Sequence, residues 1–222
     1  MWHRCFALVA AVHTSALAPS FDTFSAAAVG SWTGTQYQWP GDTNAVACES
    51  VVDEVMRSCG GAVQGVRVGD GPLLNRQDDG FCFFDCGSWT QGPTALADVA
   101  AFDVGLATHS RRVRCVVSVD VTARKAVEAT VVVEEKAGAA PLAKRESLAA
   151  TGAPWLAPRL KWTRSTEEAT LPADAVALPG GVSIACVDNN GATDVVVHAD
   201  GVSLTRSYDA SGALVAISLH AP

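Results

Sequence analysis

The chain has 222 residues and a formal net charge of −7 at pH 7, which suits a single domain and argues against nucleic acid as the main partner. Charged residues make up only 18% of the chain and apolar residues 49%, so a sizeable core can form without a metal or a disulfide to support it. No run of 18 or more apolar residues occurs, and the sequence therefore predicts no conventional membrane span.

The first residues have the features of a targeting presequence. Arg4 precedes an apolar run, and Ala16 to Ala18 form a small-residue cleavage pattern. The segment "SALAPSF" also resembles the bipartite plastid presequence of algae with secondary plastids. We predict a presequence at residues 1–25, leading to the plastid or alternatively to secretion, and a single domain at residues 26–222. The other interpretation of this stretch is a buried first strand.

One segment shows helical spacing of its apolar residues. Val51, Val55 and Met56 would lie on one side of a helix, with Glu49 near its beginning and Gly61 after its end. This spacing predicts a helix from Glu49 to Gly61, although the surrounding sequence favours strands.

Glycine turns punctuate the rest of the chain and separate short apolar segments. This pattern predicts an antiparallel sandwich or barrel. The clearest predicted strands are Arg111–Val121, Val127–Glu135, Val182–Val187, Thr193–His198, Val202–Tyr208 and Leu214–His220. The last four are joined by very short loops, so we expect them to be sequential antiparallel neighbours. The stretch 136–154 is predicted to be a loop or short helix between two halves of the fold.

The sequence contains no recognisable catalytic motif, neither a hydrolase nucleophile elbow nor a phosphate loop. The histidines after the presequence lie far apart, so we predict no metal site. Cys82 and Cys86, on one strand, would stand about 13 Å apart, which favours buried thiols over a disulfide between them or a metal pair. Glu134 and Glu135 are adjacent, but neighbours on a strand point to opposite faces and cannot act as a pair.

An arginine falls on an apolar face near the end of the chain. In the segment Val202 to Tyr208, alternation puts Leu204, Arg206 and Tyr208 on the same face, so Arg206 should point toward the core. A buried arginine needs partners, because an unpaired buried charge is very costly. In a structural interpretation it stacks on an aromatic ring or caps backbone carbonyls. In a functional one it binds an acidic group of a ligand.

The same alternation selects two further arginines. Arg164 shares a face with Trp162, and Arg111 is predicted to lie on the apolar face of its strand. Arg112 and Arg114 are then predicted to face outward. Both interpretations, the structural and the functional, apply to Arg111 and Arg164.

The first folded segment resembles a known signature. Gly30-Ser31-Trp32 is similar to the Gly-x-Trp triplet of calycins, the lipocalin-like barrels of eight to ten strands. Such barrels commonly set an arginine from a late strand against that tryptophan to close one end. By this resemblance, Arg206 would close the barrel on Trp32.

Three longer segments resemble a more specific family. They are "CFFDCGSWTQGP" from Cys82, "RRVRCVVSVD" from Arg111, and "LPGGVSIACV…VSLTRSYDASGALVAISL" from Leu178. They are similar to the uncharacterised calycin-like domain family of cyanobacteria, algae and plants that is related to the S-type phycobiliprotein lyases. The resemblance spans roughly Ala28 to Leu219. It implies a mainly all-β fold, an antiparallel calycin/lipocalin-like β-barrel of about 8–10 strands with one or two short helices. It also favours strands where the helical spacing lies.

The resemblance suggests functions as well as a fold. The lyase relatives hold an open-chain tetrapyrrole and deliver it to a cysteine of a phycobiliprotein, so the implied ligand is a bilin, another plastid pigment or a lipid, and the implied partner a chromophore-acceptor protein. No cofactor and no catalytic residue is assigned. The positions available for a ligand are Trp32, Arg111, Trp162, Arg164, Arg206 and Tyr208.

Three functions remain open from the sequence. The protein either binds and carries a small, largely apolar ligand in a barrel cavity, or acts as a bilin lyase-like enzyme, or has a structural or assembly function with a barrel filled by its own side chains. A cavity on the order of 300 Å³ or larger favours the first function. A core packed to normal density favours the third.

Overall fold

The structure is a computed structural model that describes residues 21–41, 46–59, 65–69, 73–75, 80–84, 86–108, 111–137, 161–165 and 171–221. These residues are mainly antiparallel β-structure, as predicted. They include one α-helix, α1 (Phe21–Ala28), and a single 3-10 turn at Pro179–Gly181. The described part of the chain has no helix with the length and apolar character needed to cross a membrane. The loop predicted at 136–154 lies almost entirely outside the described residues.

Nine strands form the larger sheet, in the spatial order β4-β3-β2-β1-β9-β8-β7-β6-β5. Their bounds are β1 Gly30–Trp39, β2 Cys48–Cys59, β3 Gly65–Val68, β4 Leu73–Asn75, β5 Phe81–Phe83, β6 Trp89–Gln91, β7 Val99–Thr108, β8 Arg111–Asp120 and β9 Lys125–Lys136. The two end strands, β4 and β5, contribute Leu74, Phe81 and Phe83 to one buried cluster. The sheet therefore curls into a nearly closed barrel.

Six strands form the smaller sheet, in the order β10-β15-β14-β13-β12-β11. Their bounds are β10 Lys161–Ser165, β11 Val176–Leu178, β12 Val182–Asn189, β13 Ala192–Ala199, β14 Val202–Tyr208 and β15 Leu214–His220. β12 to β15 pair in sequence as antiparallel neighbours, which confirms the predicted meander. β10 pairs with β15 in parallel.

The larger sheet has buried residues on both of its faces. We call the face inside the curl the inner face; it carries Arg112 of β8 and its direct partner Glu134 of β9, together with Trp32 of β1, which pairs with Lys136. The outer face carries Val113 and Cys115, which belong to the core between the two sheets. Successive side chains of a strand alternate between its faces. β8 therefore has buried side chains at odd-numbered and at even-numbered positions.

The helix predicted from Glu49 to Gly61 is wrong, because residues Cys48–Cys59 form β2. β2 pairs along its length with β1 and at its end with β3. Val51 and Val55 are four residues apart. Four residues are two repeats of the two-residue alternation of a strand and also close to one helical turn, so this spacing fits a strand face as well as a helix face. Met56 points to the other face, where it is buried, while Val51 is 79% exposed.

Helix α1 overlaps the segment predicted to be a presequence. Helix α1 begins at Phe21, inside the segment assigned to a presequence. Phe21 and Phe24 are buried, with exposed fractions of 4% and 0%. Their rings pack on Phe83 of β5 at centroid distances of 5.5 and 5.1 Å. α1 thus belongs to the closed end of the barrel.

The absence of a side chain at Gly34 allows β1 and β9 to approach closely. A Cβ there would lie 1.9 Å from the carbonyl oxygen of Val133 and 2.8 Å from Cα of Glu134. Gly34→Ala must move backbone rather than a flexible side chain, and we expect it to lower the free energy of unfolding by about 1–3 kcal/mol. Thr35→Ala, one residue further on the opposite face, is the control. Equal urea midpoints for the two variants would contradict this account.

Candidate functional site

The closed end of the inner face is built from apolar and aromatic side chains. Trp32 is 2% exposed and donates its Nε1–H to the carbonyl of Ala28, the last residue of α1, at 3.1 Å. Met56 and the phenylalanines of α1 and β5 share this cluster. Trp32 therefore lies at a barrel end that is filled by the protein's own residues.

Arg112, which was predicted to face outward, is fully buried on the inner face. Its Cζ lies 4.4 Å from the ring centroid of Trp32 and 5.4 Å from that of Trp89. Arg112 thus takes the position against Trp32 that the calycin resemblance gave to Arg206. The outward prediction was wrong because both faces of β8 are covered, so the apolar parity alone did not identify the buried arginines.

A cluster of charged side chains crosses the middle of the inner face. Arg112 donates Nε–H to Oε2 of Glu134 at 2.7 Å, and its Nη2 lies 3.4 Å from Oε2 of Glu54. Arg114 makes a two-point pair with Asp103 at 3.0 and 2.7 Å, the geometry that makes such pairs strong. We call these five residues the charged cluster.

Burial shifts the protonation equilibria in this cluster. It lowers the pKa of Arg112, although the neighbouring Glu134 acts to raise it. Burial also raises the pKa of Glu134 to about 7, and the nearby Glu54 adds to the increase while Arg112 opposes it. Glu135, its neighbour in sequence, is exposed on the other face, as strand alternation predicted.

Beyond the charged cluster the inner face opens to solvent and forms a groove of about 320 Å³. Gln38, Val116 and Thr130, at paired positions on β1, β8 and β9, lie in its wall. Val116 is 38% exposed and supplies an apolar surface. Ser118 and Glu128 add polar groups, and the Ser118 hydroxyl donates to Oε1 of Glu128 at 3.2 Å.

A second groove, of about 430 Å³, adjoins the first. Ala101 in its wall is the direct β-sheet partner of Ser118 in the first groove, and direct partners project from the same face. Val99, 58% exposed, and Gln91 also line it. The two grooves together cross β1, β9, β8, β7 and β6, which at the usual spacing of strands is a width of about 19 Å.

Arg206 points into the core between the two sheets, as its alternation predicted, and is 1% exposed. It lies on the outer side of the larger sheet, because its hydrogen-bond partner Thr90 is on the face of β6 opposite to Trp89. Trp32 is on the inner face. The predicted closure of the barrel by Arg206 on Trp32 is therefore wrong.

Every N–H of the Arg206 guanidinium has an acceptor. The five donors meet Tyr208 Oη, Gly80 O, Thr90 Oγ1, Gly92 O and Pro93 O at 2.9–3.4 Å. The Tyr208 hydroxyl in turn donates to Pro93 O at 2.9 Å. Arg206 caps backbone carbonyls, as the structural interpretation described, and has no N–H left for a ligand carboxylate.

Among the remaining candidate positions, Arg111 does not converge with these residues. Arg111 begins β8 on the same face as Val113 and Cys115, as alternation predicted, but at the strand end its side chain is 40% exposed and pairs with Asp200 at 2.9 Å. Trp162 and Arg164 belong to β10, of which the backbone alone is described. Their predicted contribution to a ligand site lies outside the described side chains.

The cysteines of the described residues form no disulfide. Burial raises the pKa of both Cys82 and Cys115 to about 12, so both are protonated thiols at neutral pH. A protonated thiol is neither a good nucleophile nor a metal ligand. Cys82 is thus a buried thiol, as predicted, and Cys86 is partly buried.

The inner-face site was missed in part by sequence reasoning. Glu54 lay in the segment interpreted as a helix, and Arg112 was assigned to the exposed side of its strand. Pairing β8 with β9 outward from their short turn would have brought Arg112 within one residue of Glu134, but a bulge at Ser118–Val119 shifts the register and makes them direct partners.

Comparison with known proteins supports the fold alone. The chain resembles the crystal structure of a protein of unknown function from the DUF3598 family of Nostoc punctiforme, with a TM-score of 0.58 and 15% sequence identity. The match covers 90% of this chain and 97% of the other. No protein-family model and no curated protein matches the sequence. The barrel architecture is thus shared with a solved protein. Because the function of that protein is unknown, the comparison carries no conclusion about function.

Proposed function

We propose that the protein binds an elongated small ligand of mixed polarity across the open end of the inner face. The observation that carries this proposal is the pair of adjoining grooves, about 320 and 430 Å³, inside a sheet whose other end is closed. Small-molecule sites are commonly concave and roughly 300–1,000 Å³. The width of about 19 Å across five strands suits a long ligand lying across them.

The resemblance to the phycobiliprotein lyases makes a linear tetrapyrrole the first ligand class to test. The charges on the groove walls refine this choice. Glu128 is the charged residue among the described residues lining the first groove, and the described lining of the second groove is uncharged. Arg114, two residues before Val116 on the same face, is already paired with Asp103. These walls favour a neutral or basic ligand over a dianion.

Two matched ligands test the charge preference. We expect biliverdin dimethyl ester, which lacks the two free carboxylates, to bind more tightly than biliverdin in isothermal titration calorimetry. Glu128→Gln should reduce the difference, because it removes the carboxylate that a ligand acid would meet. Tighter binding of biliverdin than of its dimethyl ester would contradict the proposal that the grooves prefer a neutral or basic ligand.

Two matched substitutions test the location. Val116→Trp places a large ring in the first groove and should weaken ligand binding at least tenfold, which is about 1.4 kcal/mol. Val51→Trp is the control, because Val51 is an exposed strand valine on the outer face, away from the grooves. Equal affinities for the two variants would place the ligand elsewhere.

A structural function with a filled barrel is the competing proposal. It is favoured by the closed end, where Trp32, Met56 and Phe24 are at most 2% exposed. If both tetrapyrroles fail to bind at micromolar concentration, and aliphatic ligands fail as well, the structural function is the better one.

A further inference from the structure

Two carboxyl groups of the charged cluster share one arginine. Nη2 of Arg112 contacts Oε2 of Glu134 at 2.5 Å and Oε2 of Glu54 at 3.4 Å. Glu134 has an exposed side-chain fraction of 0% and Glu54 of 19%. Two acids placed this close to each other away from water rarely both ionise, because their charges repel.

The two carboxyl oxygens of Glu134 differ in their hydrogen bonding, and this difference indicates which of them carries a proton. Oε2 accepts from Arg112, whereas Oε1 is buried and has no hydrogen-bond partner among the described residues. An ionised carboxylate would leave a share of its charge on that unsolvated oxygen, which is costly. A hydroxyl at Oε1 removes that charge and can donate to the carboxylate of Glu54.

Within the charged cluster itself, the charges balance when Glu134 is neutral. From β8 it faces Arg112 and Arg114, and from β2 it faces Glu54; Asp103 of β7 is held by Arg114. Gly34 of β1, opposite Glu134, brings no charge. Two arginines are then matched by two carboxylates. Lys136, two residues further along β9, lies at the edge of the cluster, 5.5 Å from the ring of Trp32.

We propose that Glu134 and Glu54 hold a single proton between them, and that release of this proton to water loosens the inner face. On release, Oε1 of Glu134 becomes part of a carboxylate that repels the carboxylate of Glu54. Glu54, the more exposed of the two, moves away toward Arg114, whose Nη1 lies 3.9 Å from its Oε1. Glu54 then competes for Arg114 with Asp103, the direct partner of Val116 in the groove wall.

The sign of the resulting pH dependence follows from linkage. Burial raises the pKa of Glu134 in the folded protein from 4.5 to about 7. Between these values the folded protein holds a proton that the unfolded chain has released, so the stabilisation is complete at pH 4.5 and is lost as the pH rises toward 7.

The test compares melting temperature against pH, from 5 to 8, for the full chain and three variants. Histidines also titrate in this range, so the comparison between variants isolates the carboxyl pair. The slope of melting temperature against pH reports how many protons the folded and unfolded states bind differently. We expect Glu134→Gln to lose the part of this slope that corresponds to about one proton. In Glu54→Gln the same change in melting temperature should occur at lower pH, because the substitution removes the negative charge that disfavours ionisation of Glu134. Glu135→Gln, the exposed neighbour, should keep the full slope.

A second measurement needs no variant to fold. Infrared spectra of the intact protein should show a buried carboxylic-acid carbonyl band at pH 6 that disappears by pH 8.5. Amide exchange at Val116 and Thr130, corrected for its intrinsic pH dependence, should be faster at the higher pH. The absence of the acid band at pH 6, equal slopes for Glu134→Gln and Glu135→Gln, or unchanged exchange would each overturn the proposal. None of these outcomes depends on a ligand.

Discussion

Replacing Phe24 by alanine is expected to lower the free energy of unfolding by about 3–5 kcal/mol, which is the usual cost of removing a buried phenylalanine. Phe24 is 0% exposed, and its ring meets those of Phe21, Phe81 and Phe83 at centroid distances of 5.7, 6.1 and 5.1 Å. Three aromatic rings would lose their common neighbour, and α1 has too few residues to hold its place without these contacts. Urea unfolding followed by tryptophan fluorescence measures the change.

The control for this prediction is Asp22→Ala, an exposed position on the same helix. We expect it to change the free energy of unfolding by no more than about 1 kcal/mol, through the helix dipole. The pair also tests the boundary between presequence and domain. A protein that begins at residue 26 lacks both Phe21 and Phe24, so it should be less stable than one that begins at residue 21. If Phe24→Ala had no more effect than Asp22→Ala, α1 would not be part of the stable fold.

Replacing Arg206 by alanine is expected to have a comparable effect, about 3–5 kcal/mol. The side chain holds Gly80 on one side and the Gly92-Pro93 segment on the other. Without it, Gly92 O loses the donor described for it, while Gly80 O keeps the Gly92 N–H and Pro93 O keeps the Tyr208 hydroxyl; a buried carbonyl left without a donor costs about 1–3 kcal/mol, and the loss of the buried guanidinium adds the cost of a cavity. Thermal and urea unfolding both measure the loss. Tyr208→Phe, which removes one hydroxyl of the same group, should cost about 1–2 kcal/mol.

Arg111→Ala provides the control for Arg206→Ala. Its side chain is 40% exposed, and its ion pair with Asp200 joins the two sheets at the surface. Exposed pairs of this kind contribute about 0–1 kcal/mol, so the variant should remain close to the wild type. A loss at Arg206 no larger than that at Arg111 would disprove the role of the buried guanidinium as a clamp on backbone carbonyls.

Strand alternation predicted the smaller sheet better than the larger one. The four strands from β12 to β15 pair through short turns, and one face of them carries the core. Alternation there places Arg206 on the buried side correctly. β8 has buried residues on both of its faces instead, so the apolar face given by alternation does not identify every buried side chain. The misassignment of Arg112 has this cause.

The helix predicted over Glu49 to Gly61 failed for a related reason. A spacing of four residues satisfies both a helix face and a strand face, and the sequence alone does not contain the pairing of β2 with β1 that decides between them. The charged cluster depends on the same pairing, because it brings Glu54 opposite Trp32. Resemblance to calycins predicted the barrel and the closing role of an arginine, but assigned it to the wrong arginine.

The seam between β1 and β9 has a consequence for the order of folding. It joins Trp32 to Lys136, about a hundred residues away, whereas β8 and β9 are joined by a short turn. Closing long loops costs more chain entropy and is slower than forming a hairpin. We therefore expect Arg112 and Glu134 to meet on their hairpin while water still surrounds them. Trp32 then covers a hydrogen-bonded pair that is already formed, so the Arg112 guanidinium does not have to lose its hydration before Glu134 is in contact with it.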